Sequence, residues 1–193
     1  MEYQNRHGDR YFVFQGRTKT GKPKYFASKK ESSDKGELIE SLPAGFEIFE
    51  NPGNSTVTIR RCKKSRVIEA ERELVERLVI ELSAHSLVRT IIDGDQIIVY
   101  TPDADPVAAA ERIAEGFGVT VARAAQHLAT YTKFEANLRF SLVDADARSY
   151  LAERFCYRSY VDDWIPVGGP APLERLVRTL VQHLGRESFY DLM

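Results

Sequence analysis

The stretch KFEANLRFSL, residues 133–142, constrains the fold more than any other part of the chain. Phe134, Ala136, Leu138, Phe140 and Leu142 alternate with Lys133, Glu135, Asn137, Arg139 and Ser141. Side chains in a β-strand point to opposite faces in turn, so this pattern predicts a strand with one buried and one polar face. Such a strand needs neighbours to pair with and something apolar to cover it. Two amphipathic stretches can supply the cover. Val67, Ile68, Leu74, Val75, Leu78, Val79 and Leu82 recur at helical spacing, and so do Leu173, Leu176, Val177, Leu180, Val181 and Leu184 before Gly185.

Between those stripes, residues 87–92 and 96–100 read as strands joined by the turn Asp93-Gly94-Asp95. Asp105 and Pro106 cap and open a helix broken near Gly116 and Gly118. After Asp144 and Asp146 a second strand runs near Tyr150–Tyr160, and WIPVGGP closes it. Residues 65–193 therefore read as α-ββ-α-ββ-α, a sheet of antiparallel hairpins with helices on one face.

The first 61 residues show no helical period and read as four short antiparallel strands. YFVFQ and KYFAS flank GRTKTGKP, residues 16–23. Gly16, Gly21 and Lys22 match seven places of the phosphate-loop pattern G-x-x-x-x-G-K, but the eighth holds Pro23 instead of Ser or Thr. A phosphate loop also opens a helix, whereas PKYFA is strand-like. The stretch reads instead as a hairpin tip, with Gly21 in a left-handed position and Pro23 starting a strand. Residues 29–42 read as a polar loop, and NPGN at 51–54 as a tight turn.

The fold expected is thus α+β. A small N-terminal antiparallel β module, residues 1–64, precedes a larger domain, residues 65–193, of antiparallel hairpins packed with amphipathic helices. Net charge is −1, but residues 1–66 carry 14 basic against 8 acidic side chains, and residues 67–193 carry 13 against 20. The basic surface falls on Arg17, Lys19, Lys22 and Lys24 in the hairpin, with Lys29 and Lys30 after it, and on Arg60, Arg61, Lys63 and Lys64. Interleaved Tyr11, Phe12, Phe14, Tyr25 and Phe26 add rings that could stack on bases if exposed, or form the module's core if buried. This points to a non-catalytic binding or accessory protein contacting an acidic protein or nucleic acid.

Two alternatives come from other classes. Asp93/Asp95, Asp103/Asp105 and Asp144/Asp146 could hold a metal for a hydrolase or transferase, although each pair also sits where Asp serves a turn or cap. The acidic half could instead be the assembly surface of a structural or regulatory oligomer. Neither the four histidines nor Cys62 and Cys156 show ligand spacing, so neither a cofactor nor a metal site is implied. The polar start of the chain lacks a signal-peptide core, and no apolar run approaches 18 residues, so a cytoplasmic protein without a membrane span is expected.

The stretch YFVFQGRTKTGKPKYF followed by LPAGFEIFENPGNSTVTIRR resembles a segment of uncharacterised bacterial proteins. In those, an F/Y-x-F-x-G-x-T-K-T-G-K-P hairpin precedes a P-x-G-F/Y-E-I-x-E-N-P turn. The resemblance covers residues 10–61 and implies that they form one unit. It carries no activity and no functional residue.

Overall fold

The computed structural model of the chain describes residues 1–158 and 161–192. Helices and antiparallel sheets are both present, and the fold is α+β. The chain divides into two compact units, Met1–Cys62 and Lys63–Met193.

The first unit holds six strands where four were expected. They are β1 (Glu2–Gln4), β2 (Arg10–Arg17), β3 (Pro23–Ser28), β4 (Gly36–Leu38), β5 (Phe46–Glu50) and β6 (Val57–Arg61). The two additions, β1 and β4, are three residues long and carry no alternation of their own. They form because β2 offers an edge to pair with. Phe14 of β2 lies opposite Phe26 of β3 on one side and Leu38 of β4 on the other, so β2 is central. β1 pairs with the start of β2, placing Tyr3 opposite Tyr11. β5 and β6 form a separate ribbon. Val13 and Phe14 are both buried, and Phe14 stacks on Phe26 at 5.4 Å.

Because β3 and β4 flank β2 on opposite edges, the segment 29–35 must cross a face of the sheet. It passes directly over Gly16. A Cβ built there would collide with the carbonyl oxygen of Lys35. Gly16, the first glycine of the apparent phosphate loop, lacks a side chain to let this crossover through.

The second unit begins with helix α1 (Glu69–Leu82), two residues later than the apolar spacing suggested. β7 (Arg89–Asp93), β8 (Gln96–Pro102), helices α2 (Pro106–Phe117) and α3 (Val121–Tyr131), and β9 (Phe134–Asp144) follow. Next come β10 (Ser149–Arg158), β11 (Val161–Pro172) and helix α4 (Leu173–Leu180). Two 3-10 turns, Val181–His183 and Glu187–Phe189, finish the chain. The sheet order is β11-β10-β9-β8-β7, antiparallel throughout. The Asp105 carboxylate accepts from the Val107 amide at 2.8 Å to cap α2, and Gly118 closes that helix at φ +64°.

β9 buries Phe134, Leu138, Phe140 and Leu142, as its alternation requires. Ile97, Val99, Tyr150 and Ala152 share that core, and Val75, Leu78, Val79, Leu176, Val177 and Leu180 cover it from α1 and α4. Strand β11 corrects the expectation that WIPVGGP ends the sheet. It is an edge strand with irregular register, where Pro166 and Pro170 disrupt no ladder on their outer side. Gly168 has a use there. A Cβ at that position would meet Leu176 Cδ2 at 3.3 Å and Leu180 Cδ1 at 3.6 Å, so its absence lets α4 settle on the sheet. The far end of the strand expected to reach Tyr160 lies outside the described residues. Among the described residues no helix is long and apolar enough to cross a membrane.

Candidate functional site

The first hairpin is built around Thr18. Its carbonyl accepts from the Gly21 amide at 2.9 Å, its hydroxyl accepts from the Lys22 amide at 3.1 Å, and its own amide donates to the Lys22 carbonyl at 2.9 Å. Gly21 takes φ +81° with open space around it, and Pro23 opens β3 opposite Arg17. The Gly21 and Lys22 amides, which a phosphate loop would aim at its ligand, are already engaged inside the turn, and a strand follows.

Arg17, Lys19, Lys22 and Lys24 lie at and beside this tip and are exposed. None of the four has an ion-pair partner among the described residues. Other cations of the same unit behave differently. Arg6 pairs with Glu50 at 3.4 Å, Arg10 with Glu2 at 2.5 Å and Lys29 with Asp9 at 2.8 Å. The Asp9 carboxylate holds the Lys29 ammonium above its ordinary range.

The second half of the expected basic surface divides. Arg60 pairs with its cross-strand neighbour Glu47 at 2.7 Å and lies 3.7 Å over the Phe49 ring. Lys63 is bonded to Asp93 at 2.6 Å. These two cations have carboxylate partners within the chain. Arg61 is exposed, 5.1 Å from the Phe46 ring centre, and Lys64 is exposed. Lys63 and Lys64 belong to the second unit.

The aromatic side chains mostly serve the core. Tyr11 and Phe14 are buried, Phe26 stacks on Phe14, and Tyr25 meets Phe46 edge-on at 4.7 Å. One feature had no sequence signal. The crossover 29–35 leaves a groove of about 480 Å³ beside β3, lined by Phe26, Ser28, Lys30, Ser33 and Lys35 among others. Lys24, Phe26 and Ser28 alternate along β3 and share the face that the groove occupies. Lys35 reaches this surface only because the crossover carries it there.

Four of the six paired aspartates have structural duties. Asp93 holds Lys63, and Asp95 accepts from the Arg66 guanidinium at 2.6 Å, which keeps its carboxyl below the usual range. Asp105 caps α2. Asp144 accepts from the amides of Asp146 and Ala147, both at 2.9 Å. Asp163 accepts from the Trp164 amide at 2.7 Å. Among the described residues no group of three or more His, Cys, Asp or Glu is placed to hold a metal ion. Comparisons with protein families, curated proteins and solved structures return no match. Of the histidines and cysteines, His183 bonds Ser188 at 2.9 Å, His7 bonds Ser55 at 3.0 Å, and Cys156 is buried.

Proposed function

We propose that this chain is a binding protein whose N-terminal unit docks an acidic segment of a partner protein. In this reading Met1–Cys62 is the small basic module and Lys63–Met193 the larger hairpin-and-helix domain that carries it. One observation carries the proposal. Four cations sit together on a hairpin tip without ion partners among the described residues, whereas Arg6, Arg10, Lys29 and Arg60 of the same unit are paired. Cations held apart from internal carboxylates remain available to an external one. The engagement of the aromatic rings in packing favours an acidic protein over a single strand of nucleic acid, which needs open rings to stack on. The metal-dependent alternative draws no support, because Asp93, Asp95, Asp105 and Asp144 hold cations or cap turns, and no group of three ligands is gathered among the described residues.

The test is titration with a fluorescent Asp/Glu-rich peptide, in parallel with a labelled single-stranded RNA, across a salt series. Exposed charge pairs contribute about 0.2–1 kcal/mol each. Replacing Arg17, Lys19, Lys22 and Lys24 together with Ala should therefore weaken peptide binding by at least about fourfold. Salt-independent binding, or an unchanged affinity in the variant, would refute the reading. Tighter binding to the RNA would move the assignment to nucleic acid.

A further inference from the structure

The second unit contains a cleft of about 400 Å³ that the reading above does not use. That volume is in the range of small-molecule sites. It opens where β8 ends and β9 begins, and is walled by the segment after α1 and by residues 184–190. Its chemistry is lopsided towards acceptors. On the floor, Asn137 Nδ2 donates to Thr101 Oγ1 at 2.6 Å and to the Glu135 carbonyl at 3.3 Å. Those bonds occupy its amide protons and leave its carbonyl oxygen to accept. His85 is half-buried in the wall, and its ring nitrogens have no hydrogen-bond partner among the described residues. Burial pushes its pKa below 6.5, so the ring is neutral near pH 7 and offers an accepting nitrogen. Gly185, at φ +82°, makes room for that ring. A Cβ there would lie 2.7 Å from His85 Nε2.

Asp103, Glu135 and Glu187 line the rim, with Arg186 the single opposing cation. None of the three carboxylates has an ion-pair partner among the described residues. The lining therefore carries a net charge of −2 near neutral pH, three carboxylates against one guanidinium and a neutral imidazole.

We propose that this cleft binds a small organic cation, an ammonium- or guanidinium-bearing molecule rich in N–H donors. The volume of the cleft sets the size, the net charge sets the sign, and the surplus of acceptors over donors sets the donor-rich character. Small anions are disfavoured by the carboxylates. A bare metal ion finds no set of three ligands among the described residues. The proposal is independent of the basic hairpin, since it uses neither the same unit nor the same sign of charge.

The full chain, isotopically labelled, is titrated with arginine amide and with 1,4-diaminobutane, and with acetate and glycerol as controls. Chemical-shift changes should gather at His85, Thr101, Asn137 and residues 184–190, with a Kd of roughly a millimolar or tighter. The double variant Asp103→Asn, Glu135→Gln should raise that Kd about two- to thirtyfold. Both carboxylates are exposed, so the fold should be unchanged, which a melting curve checks. Glu187→Gln is a second variant, expected to weaken binding about twofold or more. The proposal is overturned if neither amine shifts these residues by about 10 mM. It is equally overturned if acetate or glycerol shifts them as strongly, or if the double variant binds as tightly as the wild type.

Discussion

Replacing Gly36 with Ala tests the crossover architecture of the first unit. A Cβ at Gly36 would lie 2.6 Å from the Gln15 carbonyl oxygen, 2.8 Å from the Gln15 carbonyl carbon and 3.0 Å from the Gly16 nitrogen. Ordinary contact begins at 3.4 Å, so the shortfall is 3.4 less 2.6, or 0.8 Å. All three obstacles are main-chain atoms of the central strand, so no rotamer change relieves them. β4 must pull away from β2 and drag Lys35 with it. Overpacking of this kind costs about 1–3 kcal/mol, and the upper part of that range applies when only backbone can yield. A unit of this size has about 3–9 kcal/mol in total at ordinary per-residue stability. The assay is amide hydrogen exchange at Val13, Phe14 and Gln15. Losing 2–3 kcal/mol corresponds to exchange faster by roughly 30- to 150-fold. Gly116 in α2, where a Cβ meets nothing within 4 Å, is the control. Ala there should stabilise by about 0.5–1 kcal/mol, because it gains helix propensity without a clash. Exchange at wild-type rates in Gly36→Ala would refute the close crossing of β2 and β4.

Two further outcomes follow from the second unit. Glu153 is buried and accepts from Arg139 at 2.6 and 2.8 Å, bonds that hold its carboxyl below 4.5 despite burial, with Ser141 adding a third. A depressed folded pKa contributes stability that is present above pH 4.5 and lost as pH falls below it. Glu153→Gln should therefore lower stability by about 1–3 kcal/mol at pH 7 and flatten the acid limb of a urea-denaturation series; parallel acid limbs would contradict this. Arg154, also buried, donates to the carbonyls of Tyr190 and Leu192, both at 3.1 Å. Arg154→Met should speed exchange of amides 186–192 by at least about tenfold while those of β9 keep their protection, and a uniform change would show that the arginine holds the whole sheet instead.

β9 and α4 could be read from residues alone because each buries one face, and burial of one face imposes a period on the sequence. The Asp105 cap and the Gly21 turn were legible for a related reason: their chemistry is local. β11 was not, because Gly168, Gly169 and Pro170 signal a break only for a strand paired on both sides. β1 and β4 owe their existence to β2, so their own residues show no pattern. The same contrast holds at the sites. Exposure of Lys19 and Lys22 follows from the turn they belong to. The engagement of Lys63 depends on Asp93, thirty residues away, and that of Arg60 on the register between β5 and β6. The cleft draws on segments near residues 85, 101, 135 and 186, which no spacing rule connects.

The anchoring of the last residues by Arg154 has a consequence for the order in which the molecule matures. The wall of the cleft formed by residues 184–190 is held to the body through a guanidinium 36 and 38 positions earlier in the chain. That wall cannot close until β10 has taken its place in the sheet and residues 184–190 have docked against it. Binding competence at the cleft is therefore a late event in folding, and its appearance in time would report completion of the sheet.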